Sequence, residues 1–458
     1  MANSTLNRTF GTPTHADKWT WSAWIKRSKL SSSGVYMDVF AGYTDGNNYA
    51  QLSFHPDNYF FYYDYQGGAV KASLATNKVF RDTSSWYHII VATDTTQGTA
   101  ADRVKLYING EQYTWDRTTT YPNQNQDTKI NNASTPHYIG QVGVGNFFDG
   151  YMSHVAFVDG QQLTPTSFGS TDSTSGIWKF KPPSGVTWGT NGAHLKFENS
   201  ANLGLDSSSN TNNWTVGGNL KQALDTPSNV YCTLNFLNKE VGGSTLSNGN
   251  TKLVTTAQGG GPYTGRTIAT LGASSGKYYW EVKPTSTVSN TFPAISVVGE
   301  DFIVMSGGNY LAGSSGSQSY ITFIPSTGNI QYNFTGSSTN ASYGNVVSAN
   351  DIIGVALDLD NGKIFFSING TWQNSGNPAT GANPANNSVG SLGGDIVFPA
   401  FGDLNYSSSA TILTNFGNGY FGTTAITSAG SNGNGSLFEY DVPSGFYALN
   451  TKNINTYG

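Results

Sequence analysis

A single cysteine, Cys232, stands in 458 residues, which excludes a disulfide framework within the chain. Charge is scarce: 11% of residues are Asp, Glu, Lys or Arg, against about 25% in an ordinary soluble domain. The 23 basic and 28 acidic residues leave a net charge of −5, and Lys and Arg nowhere cluster. Neither a nucleic-acid footprint nor an anionic-membrane patch is therefore expected. No apolar run approaches the ~20 residues of a membrane span, so membrane insertion is not expected either. The opening MANSTLNRTFG lacks the basic start and apolar stretch of a secretory leader, which points to synthesis in a cytoplasm. No stretch repeats its apolar positions with a helical period, so long helices are not expected. Heptads, collagen-like triplets and long β-helical repeats are missing as well, so the chain is no fibre shaft by itself.

What is present reads as strand and turn. There are 55 glycines, aromatic residues make up 13%, and Asn, Ser and Thr crowd every row. The most informative phrase is KIFFSINGTW, residues 363–372, because VKLYINGEQYTW, residues 104–115, nearly repeats it. In both, a β-prone run reaches Ile-Asn-Gly and resumes. Asn-Gly supplies the two positive φ angles of a type I′ turn, whose twist suits antiparallel strands. Upstream stand WYHIIVATD, residues 86–94, and DIIGVALDLD, residues 351–360, each one further strand. The chain thus encodes a three-stranded meander twice.

Around the first meander lie residues 21–25 (WSAWI), 86–88 (WYH), 105–110 (KLYING), Ile139-Gly140 and 149–157. This order resembles the LamG-like, concanavalin A-type lectin and glucanase fold over residues 1–168. Around the second lie Tyr278 to Glu281 (YYWE), Asp351 to Gly354, Ala356 to Asp358, Ile368 to Gly370 and Pro399 to Phe401. They resemble the SPRY domain, itself a concanavalin A-like sandwich, over residues 228–458. The expected fold class is all-β: two tandem concanavalin A-like antiparallel β-sandwiches joined by an irregular packed bridge, residues 169–227. Trp178, Trp188 and Trp214 argue that this bridge is packed, since a solvated linker rarely carries three tryptophans. Before it, LTPTSFG reads as one helical turn with Thr164 as N-cap, Pro165 first and Gly169 as stop. Residues 212–235 and 443–454 resemble sequences of tailed-bacteriophage virion proteins that join a LamG-like region to a SPRY-like one. That resemblance implies a virion structural protein assembled in the host cytoplasm, at a tail fibre or appendage. Its implied partners are other virion proteins, host cell-surface glycans and further copies of itself; the alternative place is capsid-surface decoration.

The glucanase resemblance makes catalysis testable. A retaining glycosidase needs two carboxylates ~5 Å apart, and glucanases of this fold carry them as Glu-x-Asp-x-x-Glu on one strand. None of the six glutamates, Glu111, Glu198, Glu240, Glu281, Glu300 and Glu439, begins such a motif, so no enzyme and no polysaccharide depolymerase is expected. The six histidines lack a two-His zinc spacing. No cofactor is expected; calcium has one weak candidate ligand, Asp45 in YTDGNN, whose plainer reading is an ordinary hairpin turn. The strongest ligand signal is YFFYYDYQGG. Alternation puts Tyr59, Phe61, Tyr63 and Tyr65 on one face and Phe60, Tyr62 and Asp64 on the other. Tyr59, Tyr63 and Tyr65 are candidates for stacking sugar rings or contacting another subunit, with core packing as the plain alternative.

Overall fold

Asn109 and Gly110 take φ of 49° and 86°, and Asn369 and Gly370 take 47° and 78°, as a type I′ turn requires. The flanking residues pair directly, Ile108 with Glu111 and Ile368 with Thr371. A second device recurs that the turn rule does not supply. The Asn109 N–H donates to the His88 carbonyl at 2.8 Å, while its Oδ1 accepts from the His88 N–H at 2.8 Å. Asn369 and Ile352 repeat this exchange at 2.8 and 2.9 Å. Each asparagine therefore closes the turn and extends the ladder to the preceding strand.

The computed structural model describes residues 4–31, 34–143, 145–240, 243–256, 265–285, 293–302, 311, 318–334, 336–404 and 409–458. The chain divides into two units, residues 1–222 and 223–458, and the expected all-β tandem-sandwich architecture is what it adopts.

The first unit contains β1 (Thr5–Thr9), β2 (Lys18–Arg27), β3 (Met37–Asp45), β4 (Asn48–Phe54), β5 (Tyr59–Gln66) and β6 (Ala69–Val79). It continues with β7 (Tyr87–Asp94), β8 (Val104–Ile108), β9 (Glu111–Tyr113), β10 (Thr118–Thr120), β11 (Pro136–Ile139) and β12 (Gly150–Asp159). Four short strands complete it: β13 (Gly169–Thr171), β14 (Trp178–Phe180), β15 (Ala193–Leu195) and β16 (Thr215–Gly217). An eight-stranded sheet, in the order β10-β6-β5-β4-β3-β11-β1-β16, contributes one wall of the core, and a six-stranded sheet, β15-β12-β2-β7-β8-β9, contributes the other. Trp19, Trp21, Phe40, Phe54, Tyr62 and Phe157 fill the space between them. Full burial of each such side chain is worth roughly 1.5–3 kcal/mol.

On β2 the alternation places Trp19, Trp21, Ala23 and Ile25 in that core. Its other face is buried too, because the chain after β12 folds back over the six-stranded sheet. Leu163, Phe168, Val186 and Trp188 pack there on Ile90, Ala92, Tyr107, Ala156 and Val158. Residues 169–222, the greater part of the expected bridge, thus lie in the first unit, where β15 and β16 become sheet edges; residues 223–227 lie in the second. The three bridge tryptophans each have a use. Trp178 donates its indole N–H to His88 Nδ1 at 2.9 Å, Trp188 stacks on His194, and Trp214 meets Phe10 edge-on in the core. The helical turn forms as a 3-10 turn, Pro165–Ser167, but Thr164 makes no side-chain cap; its hydroxyl meets that of Thr166 at 3.0 Å.

In the second unit, seven- and eight-stranded sheets enclose Tyr278, Trp280, Val282, Val355, Phe366 and Phe401. Lys277–Pro284, Ile353–Asp358 and Lys363–Ile368 are adjacent in the larger sheet. The outer face of this sheet is closed by residues 437–448, with Phe438, Val442 and Phe446 packed on Tyr279, Ala356 and Phe365. Glu281 holds that cover: its carboxylate accepts from the N–H groups of Glu439 (2.9 Å) and Tyr440 (2.8 Å), from Asn415 Nδ2 (3.2 Å) and from the Tyr279 hydroxyl (3.2 Å).

Candidate functional site

The outer face of the eight-stranded sheet in the first unit carries a field of half-buried tyrosines. Strand β5 builds it by alternation. Phe60 and Tyr62 point into the core. Asp64 is buried on the same side, accepting from the Tyr62 hydroxyl (3.0 Å), Gln66 Nε2 (2.8 Å) and the Lys129 N–H (2.9 Å). Burial nevertheless lifts its pKa to about 6. Tyr59, Phe61, Tyr63 and Tyr65 turn outward.

Strand register then extends the field sideways. Tyr65 stands opposite Tyr49, and Tyr49 opposite Tyr43. Tyr63 opens a longer row, running through Gln51, Ala41, Tyr138 and Asn7 to Thr215. On its other side follow Ser73 and Thr120. With strands ~4.8 Å apart, this row crosses eight strands in about 34 Å. The Tyr63 and Tyr65 rings stack at 6.1 Å and 16°, with Tyr49 at 5.9 and 5.8 Å from them and Tyr43 at 6.4 Å from Tyr49. Burial raises the Tyr49 and Tyr63 hydroxyls above their ordinary pKa, so both remain neutral donors.

Tyr59 belongs to a separate cluster at the other end of β5. It stacks on His55 (4.2 Å, 13°), lies under the Arg117 guanidinium (4.2 Å) and adjoins Phe61, itself edge-on to Tyr36. The structure therefore joins Tyr63 and Tyr65, sets Tyr59 apart, and adds Tyr43 and Tyr49, which sequence reasoning missed; Tyr138 lies on the row of Tyr63, three strands away. A signal for the added pair existed: Tyr43 and Tyr49 flank the TDGNN turn symmetrically, and hairpin pairing makes such positions neighbours.

Residues 4–167 match the family model for the concanavalin A-like lectin/glucanases superfamily, and residues 277–386 match that for the SPRY domain. The chain carries a concanavalin A-like domain followed by a SPRY domain. Solved structures similar to parts of it include the SPRY domain of human HERC1 (16% identity, 40% of this chain and 96% of that one, TM-score 0.30). Others are a heptameric SAP-like pentraxin from Limulus polyphemus (16%, 47% and 89%, TM-score 0.30) and domain 4 of the Geobacillus stearothermophilus arabinanase AbnA in complex with arabinotriose (19%, 33% and 64%, TM-score 0.26). No curated protein matches the chain.

Within the concanavalin A-like domain, Asp45 is a turn residue. Its carboxylate accepts from the Asn47 N–H (2.8 Å) and Asn48 Nδ2 (3.1 and 3.2 Å) in the β3–β4 hairpin. Among the described residues, no three His, Cys, Asp or Glu side chains gather as metal ligands. Asp38, on the tyrosine face, is wholly buried beside Ser53 and Asn146, and burial lifts its pKa to about 7. The histidines serve packing. His137 Nε2 accepts from the Asn131 N–H at 3.0 Å while Nδ1 bonds the Thr135 carbonyl at 2.8 Å, so its neutral form is required. His88 is fixed likewise between Trp178 and Ser22 Oγ (2.9 Å). In the SPRY domain, Glu281 is the buried clasp already described, with its pKa pushed to about 7 by burial against four donors.

Proposed function

We propose that this chain is a non-enzymatic recognition protein whose concanavalin A-like domain binds glycan on the face of Tyr43, Tyr49, Tyr63 and Tyr65. The observation that carries the reading is a sheet face left uncovered, bearing clustered tyrosines beside amide and hydroxyl groups. Half-exposed rings offer flat apolar surface to the faces of sugars, while Ser73, Asn7 and the tyrosine hydroxyls offer hydrogen bonds. Asp38 and Asp64 are both buried, and Asp64 is held by three donors, which supports binding without hydrolysis.

The setting we propose is the virion of a tailed phage, at a fibre or appendage, where the domain would attach to host-surface glycans. This part rests on the resemblance of residues 212–235 and 443–454 to virion proteins. The direct test is binding of the purified protein to isolated host-envelope polysaccharide, compared with a Tyr63→Ala, Tyr65→Ala variant. Loss of two stacking rings is expected to weaken binding about tenfold or more, with unchanged circular dichroism. Equal binding by the variant overturns the site. Antibody label on intact virions tests the setting: label at the tail fibres is expected, label over the head replaces it with capsid decoration, and no label overturns it.

A further inference from the structure

Two basic side chains, Lys71 and Arg117, stand towards the two ends of β5 beside the tyrosine face. Lys71 sits in a β-bulge: Asp64 pairs with Ala72 and Tyr65 with Val70, so Lys71 has no partner residue on β5, and it makes no ion pair among the described residues. Arg117, 43% exposed, lies over the Tyr59 ring at the opposite end of the same strand. Its contact with Asp57, which is 67% exposed, is a single long one at 3.9 Å. A guanidinium held flat on a ring keeps most of its donor edge available. Of the neighbouring acids, Asp38 and Asp64 are buried, while Asp45 accepts in its turn from the neutral Asn47 and Asn48 and keeps its charge. Tyr59 and Tyr65 are six residues apart on one strand, so the two cations bracket the platform at a separation of about 20 Å.

We propose that the ligand of this face is an anionic polysaccharide, its rings stacked on Tyr49, Tyr63 and Tyr65 and its acidic groups met by Lys71 and Arg117. This inference rests on the glycan reading of the same face and adds the class of glycan. A neutral platform between two cations selects chains that alternate flat apolar ring faces with carboxylate, sulfate or phosphate groups. A wholly neutral chain leaves both cations without a partner.

The test uses the full chain and matched polymers: alginate, polygalacturonate and hyaluronan, each intact and after carboxyl reduction, with dextran sulfate and dextran as a second pair. The intact acidic polymers are expected to bind roughly tenfold more tightly than their reduced forms, as two exposed charge contacts supply. That margin should shrink at high salt, where screening acts over ~3 Å. Lys71→Gln with Arg117→Gln should bring the acidic polymers to the affinity of the reduced ones, and Arg117→Lys should restore part of the margin. A margin for the carboxylates alone, or for dextran sulfate alone, identifies which anion is read. Binding of reduced and intact polymers with equal affinity, still abolished by Tyr63→Ala with Tyr65→Ala, overturns the inference and leaves the glycan reading standing. Binding to none of the polymers overturns both.

Discussion

The two domains share a meander and differ in what lies on it. In the concanavalin A-like domain Trp178 covers the hairpin glycine, and a Cβ on Gly110 would meet that ring at 2.4 Å. In the SPRY domain Tyr440 does the same, with a Cβ on Gly370 meeting its ring at 2.7 Å. Beyond the hairpins the covers diverge. The SPRY domain closes the outer face of its larger sheet with residues 437–448 and lays Phe302 and Leu311 against the other, on Ile268, Ala294 and Val298. The concanavalin A-like domain covers its six-stranded sheet and, among the described residues, leaves the outer face of the eight-stranded sheet half-exposed around Tyr49, Tyr63 and Tyr65. Two copies of one architecture thus become different objects through their late segments, which cover one outer face and leave the tyrosine face half-exposed.

The buried ionisable groups sharpen the comparison most, because all six histidines lie in the first unit. Burial lowers His88 and His137 to about 3 and His154 and His194 to about 4, below the value near 6.5 of an unfolded chain. A lowered histidine pKa means the unfolded state binds protons first. The stability these groups contribute is present above about pH 6.5 and is lost as pH falls towards the folded values. Acidification from pH 7 to 4 is therefore expected to cost the first domain several kcal/mol and to melt it before the SPRY domain. Amide hydrogen exchange across both domains measures this directly; loss of protection in residues 223–458 at the same pH would break the contrast.

Glu281→Ala is the next largest perturbation, expected to cost about 3 kcal/mol because it strands two buried backbone donors and two side-chain donors. The loss should fall on the SPRY domain alone and expose residues 427–446 to limited proteolysis, with the first domain's melting unchanged. Smaller again are Gly110→Ala and Gly370→Ala. Each places a Cβ at positive φ, at about 1–2 kcal/mol, and displaces a ring. The closer ring predicts that Gly110→Ala costs more, which separate thermal transitions for the two domains can rank.

Much of this fold was legible in short stretches. The meanders, the Asn-Gly turns, the burial of Trp19 and Trp21 and the 3-10 turn at Pro165 depend on neighbours a few residues away. The candidate site was half legible: Tyr63 and Tyr65 follow from alternation on β5, whereas Tyr138 falls on the row of Tyr63 only because β11 pairs with β3, which lies some ninety residues earlier in the chain. Tyr59 shows the opposite error, since four residues along a strand are about 13 Å, too far for one cluster.

By itself, the sequence determined the all-β class, the order of the two sandwiches and their repeated hairpins, because side-chain alternation and the φ preferences of Asn-Gly act locally. Tertiary structure alone decided that residues 169–222 complete the first domain, that Glu281 clasps a cover and that His88 and His137 are held neutral by an indole and a backbone donor. It also decided which sheet face stays open. Those outcomes depend on which distant segment arrives to bury a surface, and on how strand register lines up residues from several strands.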